Sequence, residues 1–106
     1  MFGLFGGKKR RGGDGRNTLP DGVEVHLALY KYDTCPYCRF VYRALDELSV
    51  NIEYRDIRQE RSHLESLMGA TGRRTVPCLF IDGEAMFESA DIVAWLRANF
   101  PSGSSS

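Results

Sequence analysis

Val23, Val25, Leu27 and Leu29 recur at a period of two and predict a β-strand running to about Tyr30, with Ala28 and Tyr30 supplying apolar character on its other face, so the strand is expected to be central. After Pro36 the period changes. Val41, Leu45 and Leu48 fall at i, i+4 and i+7 with Phe40 and Ala44 beside them, which is one stripe of an amphipathic helix ending before Asn51. Ile52, Tyr54 and Asp56 to Ile57 predict a short second strand, and Leu64, Leu67 and Met68 a second helix that Gly69 or Gly72 stops. The run Val76 to Ile81, then Asp82-Gly83, then Glu84 to Phe87 predicts a hairpin, because Asp-Gly supplies the positive φ angles of a two-residue turn. A last helix carries Ile92, Trp95, Leu96 and Phe100, with Ser89 as its expected N-cap. The order β-α-β-α-β-β-α folds as an α/β domain in which a parallel crossover and an antiparallel hairpin share a four-stranded mixed sheet with helices on both faces.

The flanks break this pattern. Residues 1–20 contain six glycines, the basic run Lys8-Lys9-Arg10-Arg11 and no hydrophobic period, and are expected to be a disordered tail. Phe2, Leu4 and Phe5 beside that run allow a weak membrane-surface contact, and a solvated extension is the plainer reading. Residues 21–101 form the expected folded domain and 102–106 a disordered C-terminal end.

A chain of 106 residues has room for one small domain. Its 14 basic and 14 acidic side chains cancel, which gives no case for nucleic acid as a partner. The balance is uneven, with five bases against one acid in residues 1–20 and nine against thirteen in the remainder. No apolar run approaches the roughly 18–20 residues of a membrane span. No secretory signal is recognisable at the start, and a cytoplasmic, monomeric protein is expected.

Three cysteines, two of them in Cys35-Pro36-Tyr37-Cys38, cannot build a disulfide framework, so the pair is read as chemistry or metal. The motif lies where a buried strand ends and a helix begins. Free backbone N–H groups and the helix dipole there favour a thiolate at Cys35, the expected nucleophile, placed at an exposed first turn. Cys38, one turn later and facing inward, is positioned to attack a mixed disulfide at Cys35. Zinc is the competing reading, but His26 and His63 lie singly on different elements and no second Cys-x-x-Cys exists, so no metal is expected. Cys78 has a core residue as its default, with a redox role as the minority reading.

Thr34-Cys35-Pro36-Tyr37-Cys38, followed by Thr71 to Pro77, Leu79-Phe80-Ile81-Asp82-Gly83 and Ser89-Ala90-Asp91-Ile92, resembles a dithiol glutaredoxin of the thioredoxin fold over about residues 22–100. The resemblance implies a glutathione-dependent thiol–disulfide oxidoreductase, with glutathione as co-substrate and glutathionylated or disulfide-bearing proteins as partners. It implies a cis proline at Pro77, strand-like backbone contact of Val76 with glutathione, and the γ-glutamyl end held by Ser89 and Asp91. Tyr37, Arg74, Thr75 and Glu88 join the expected glutathione site, with Lys31 standing one place away from the family's usual lysine position. The Glu88-Ser89 start is closer to the N-terminal domain of glutathione transferases, so a stand-alone transferase-like glutathione-binding domain is one alternative. A glutathione-ligated iron–sulfur carrier is the other, and Pro36 with Cys38 argues against it.

Overall fold

The computed structural model describes residues 12–100, and the expectations for residues 1–11 and 102–106 lie outside them. The strands are β1 (Arg16–Thr18), β2 (Glu24–Lys31), β3 (Glu53–Asp56), β4 (Cys78–Ile81) and β5 (Glu84–Met86), and the helices α1 (Pro36–Glu47), α2 (Arg61–Thr71) and α3 (Ser89–Asn99). β2 is the spine. It pairs parallel with β3 from Ala28↔Glu53 to Lys31↔Asp56 and antiparallel with β4 from Leu27↔Ile81 to Tyr30↔Cys78, while β5 extends the sheet beyond β4.

The alternation along β2 decides which helix covers which face. Val25, Leu27 and Leu29 join the core that contains Val41 and Leu45 of α1 and Ile92 and Leu96 of α3. Tyr30 points to the other face, where it packs with Leu67 of α2 and with Cys78. Val23 lies outside the strand at 51% exposure, since the alternating core face begins only at Val25. Phe40 and Met68, counted in the helical stripes on spacing alone, are also exposed, because α1 and α2 each turn only a narrow face to the sheet.

The sheet has five strands where the sequence pattern predicts four, and the extra one corrects the expectation of disorder for residues 12–20. β1 pairs antiparallel with the first half of β2, from Arg16↔His26 to Thr18↔Glu24, on the edge that β3 is too short to cover. The junction between β1 and β3 is closed by amides. Gly13 N donates to Ile52 O and Leu27 N to Gly15 O, both at 2.8 Å. The Asn17 side chain pairs with both backbone groups of Asn51, its Nδ2 donating to Asn51 O at 2.7 Å and its Oδ1 accepting from Asn51 N at 2.8 Å. Gly15 has φ +86°, and a Cβ there would stand 2.5 Å from Leu27 O, so the close approach requires glycine. Glycines that look like a disorder signal in composition are here the residues that admit the arm to the sheet edge.

The β4–β5 turn has Asp82 at φ 51° and Gly83 at φ 89°, as a primed hairpin turn needs. Asp82 also ties the turn to β2: its Oδ1 accepts from His26 N at 2.7 Å, and its own N–H donates to His26 O at 2.9 Å. α3 starts one residue earlier than the capping pattern suggests. Glu88 is the N-cap, at φ 72° and with no side-chain capping bond, and Ser89 is the first helical residue.

Candidate functional site

The end of β2 delivers the chain to the start of α1, and Cys35 is the N-cap of that helix. Its Sγ accepts from Cys38 N at 3.4 Å and lies 4.0 Å from Val76 O, while Pro36 occupies the first helical turn, where no N–H is needed. The helix start therefore presents a backbone donor to the Cys35 sulfur. Cys35 is only 4% exposed, which corrects the expected exposed turn: the sulfur is buried against the Val76 segment, and what separates the two cysteines is position on the helix more than access. Cys38 is fully buried, and that burial, reinforced by the neighbouring Cys35 sulfur, pushes its thiol up to about 12. All three cysteines are free thiols.

The Val76–Pro77 peptide bond is cis, and it puts the segment before β4 alongside Cys35. A cleft of about 240 Å³ runs there between Tyr37, Thr75, Val76, Pro77, Glu88 and Ser89. Six residues named from the sequence thus come together at one cleft. Asp91, in the first turn of α3, and Arg74, directly before Thr75, are exposed beside it and do not line it. Larger hollows lie against β1 and against residues 49–54 and hold no cysteine.

Lys31 departs from its expected place. It is 4% exposed, with Nζ 2.8 Å from Asp33 Oδ1 and 3.3 Å from Asp56 Oδ2, and it lines a separate hollow with Tyr54 and His63. Strand alternation is the cause: Lys31 follows Tyr30 in β2, and its ammonium is spent on two carboxylates. Asp33 also accepts from Tyr42 OH at 3.2 Å, and burial with this neighbouring carboxylate raises the Tyr42 phenol. The sequence pattern gave no sign of this cluster, because Asp33, Tyr42 and Asp56 share no period.

Cys78 begins β4 on the opposite face of the sheet, fully buried with Tyr30 and Leu67, and burial raises its thiol to about 11. It behaves as a core residue. Among the described residues no group of three or more His, Cys, Asp or Glu side chains is arranged to hold a metal ion, and no helix is long and apolar enough to cross a membrane.

A sheet of this topology with a Cys-x-x-Cys at the start of the first helix and a cis proline opposite defines a thioredoxin-like domain. The chain belongs to the glutathione S-transferase N-terminal domain family, whose profile it matches over residues 29–104. It is 38% identical over 71 residues to the chloroplastic glutaredoxin-C4 of Oryza sativa subsp. japonica, covering 64% of this chain and 53% of that protein. Over 70 residues it is 29% identical to glutaredoxin 3 of Escherichia coli (strain K12), covering 66% and 84%. Among solved structures it is similar to a glutathione transferase homologue from Drosophila mojavensis with bound glutathione, with a TM-score of 0.60 and 25% identity over 70% of this chain and 35% of that one. The chain thus spans about half the length of the rice relative. These relatives are glutaredoxins and a glutathione transferase homologue.

Proposed function

We propose that this protein is a glutathione-dependent thiol–disulfide oxidoreductase acting through Cys35. The observation that carries the reading is the Cys35 sulfur at the N-cap of α1, accepting the Cys38 N–H beside the cleft that Tyr37, Val76 and Ser89 line. In the glutathione cycle, the Cys35 thiolate attacks the glutathione sulfur of a mixed disulfide. A bond forms between Cys35 and glutathione, the substrate's sulfur–sulfur bond breaks, and the substrate leaves as a thiol after taking a proton. A second glutathione thiolate then attacks the same glutathione sulfur, so that oxidised glutathione leaves and Cys35 is restored. With a protein disulfide, the Cys35 thiolate attacks one of its sulfurs, forming a mixed disulfide and freeing the other sulfur as a thiol. Cys38 then gives up its proton and attacks the Cys35 sulfur, breaking the bond to the substrate, which leaves with both cysteines reduced, and two glutathiones later reduce the Cys35–Cys38 disulfide.

Glutathione is expected in the cleft with its backbone alongside that of Val76, like an added strand, and its γ-glutamyl end at the α3 start, where Ser89 and free N–H groups favour a carboxylate and Asp91 an ammonium. The transferase relatives favour a second reading, a stand-alone glutathione-binding domain without turnover. The two part on one assay: turnover of the mixed disulfide of glutathione and 2-mercaptoethanol, which the oxidoreductase performs and the binding domain does not.

A further inference from the structure

The basic side chains of residues 12–100 fall into two sets. Arg16, Lys31, Arg55, Arg61 and Arg97 each form an ion pair with a carboxylate. Arg39, Arg43, Arg58, Arg73 and Arg74 form none among the described residues, and they gather at the end of the molecule that carries Cys35. Arg39 N closes the first turn of α1 on Cys35 O at 3.1 Å, and Arg43 follows one turn later. Arg58 lies over the Tyr32 ring at 3.8 Å with its Nη1 3.4 Å from Thr34 Oγ1, next to Cys35 in sequence. Arg73, over the Phe87 ring at 4.2 Å, and Arg74 immediately precede the cleft residue Thr75. The carboxylates at this end are Glu88 and Asp91 at the α3 start and Asp33 and Asp56, which share the Lys31 ammonium, with Asp46 three residues beyond Arg43 on α1, so the five arginines still outnumber the carboxylates left after the Lys31 pairing.

This sorting occurs in a stretch that is acidic as a whole, with ten basic against fourteen acidic side chains in residues 12–100. The cysteine end is therefore positive against a negative background, a pattern that steers an anionic partner to one place and disfavours its contact elsewhere. On α1 the free arginines frame an apolar surface. Tyr37 and Phe40, three residues apart on the helix, are 66% and 48% exposed, and Arg39 and Arg43 flank Phe40. Tyr37 borders the cleft, whereas Arg39, Phe40 and Arg43 lie outside it.

We propose that the Arg39–Phe40–Arg43 face of α1 docks the protein substrate, and that the segment it takes is acidic around the reacting cysteine. The inference rests on the oxidoreductase reading and adds its substrate class: a glutathionylated or disulfide-bonded cysteine flanked by Asp or Glu, with an apolar side chain to meet Phe40. The chemistry is unchanged, since the glutathionyl group passes to Cys35 and the peptide leaves as its thiol. What the face contributes is encounter and orientation.

The test uses the full chain and two synthetic peptides that carry the same glutathionylated cysteine, one flanked by three acidic residues and one by three basic residues. The acidic peptide is expected to have a kcat/KM at least tenfold higher at low salt, with the advantage shrinking in 300 mM sodium chloride, as exposed charge attraction does. In an Arg39→Gln, Arg43→Gln double variant the preference should fall below about threefold, and Arg39→Glu with Arg43→Glu should reverse it; the ratio between the peptides cancels any effect on the glutathionyl group they share, and the Gln variant should still turn over the glutathione–mercaptoethanol disulfide. Equal kcat/KM for the two peptides in the native chain, or a preference that survives the double variant, overturns the proposal. Binding of the native chain to phosphatidylserine vesicles that the double variant loses, with no peptide preference, would assign the face to a lipid surface and overturn it as well. Failure of the native chain on the small disulfide strikes instead at the oxidoreductase reading, and is distinguishable because it is blind to peptide charge.

Discussion

Asn17 shows how much one side chain can decide. Its amide imitates a strand partner for Asn51, and its Nδ2 also reaches Gly15 O at 3.0 Å. Asn17→Ala leaves the Asn51 N–H and C=O without these bonds, and the expected loss is about 1–3 kcal/mol, seen as a lower midpoint of chemical denaturation. A midpoint equal to that of the native chain would mean that solvent replaces the clamp without cost. Asp91 tests the γ-glutamyl assignment. It is exposed, so its contact with the ammonium is worth roughly 1–2 kcal/mol, and Asp91→Ala is expected to raise KM for a glutathionylated substrate about five- to thirtyfold with kcat little changed. An unaltered KM would return Asp91 to a helix-dipole partner. The spacing Cys35-Pro36-Tyr37-Cys38 was legible because helix geometry alone makes its two cysteines unequal. The pairing of Lys31 with Asp33 and Asp56 was not, because an ion pair between strand end, turn and neighbouring strand leaves no periodic trace.

At the scale of elements, the strands and helices from residue 24 onward stand where the sequence pattern puts them, most plainly β2, α1 and α3, whose buried residues recur at the period that names each. By contrast, β3 and β5 bury no residue fully, and α2 buries only Leu67. β1 does not follow the pattern, being three residues long, with only Asn17 partly buried. Its place is set by the uncovered half of the β2 edge and by the amides of Asn17 and Asn51, which are tertiary facts. Removing residues 1–19 is therefore expected to cost about 2–4 kcal/mol relative to removing residues 1–11, lowering the melting temperature by on the order of 10 °C, because the ladder from Arg16↔His26 to Thr18↔Glu24 and the Asn17 clamp are lost together. Identical melting curves for the two truncations would show that β1 adds nothing to the domain. Turnover of the small disulfide should survive both, since the cysteines sit at the opposite end of β2 from the residues β1 pairs with.

At the scale of the whole molecule, three buried acids set the alkaline limit. The Cys38 and Cys78 thiols stand at about 12 and about 11 in the folded chain against an ordinary 9.0, and the Tyr42 phenol is raised as well. Below pH 9 both folded and unfolded chains hold these protons. Above it the unfolded chain releases them first, so stability falls as pH rises from about 9 towards 11, each thiol steepening the loss by up to about 1.4 kcal/mol per pH unit. Melting temperatures of the reduced protein across pH 8–11 should show this decline, and Cys78→Ala should make it shallower, whereas a flat profile would contradict the burial argument. At the acid end, the bond from Arg55 holds Glu53 below its ordinary 4.5, so its contribution is complete above that pH and is lost as pH falls below it. The central claim is that Cys35 at the α1 N-cap is the nucleophile of a glutathione-dependent cycle. It is tested most directly by steady-state turnover of the glutathione–mercaptoethanol disulfide, with glutathione present, by the native chain, Cys35→Ser and Cys38→Ser. The account predicts turnover by the native chain, none by Cys35→Ser, and turnover retained or raised in Cys38→Ser; an active Cys35→Ser protein would contradict it.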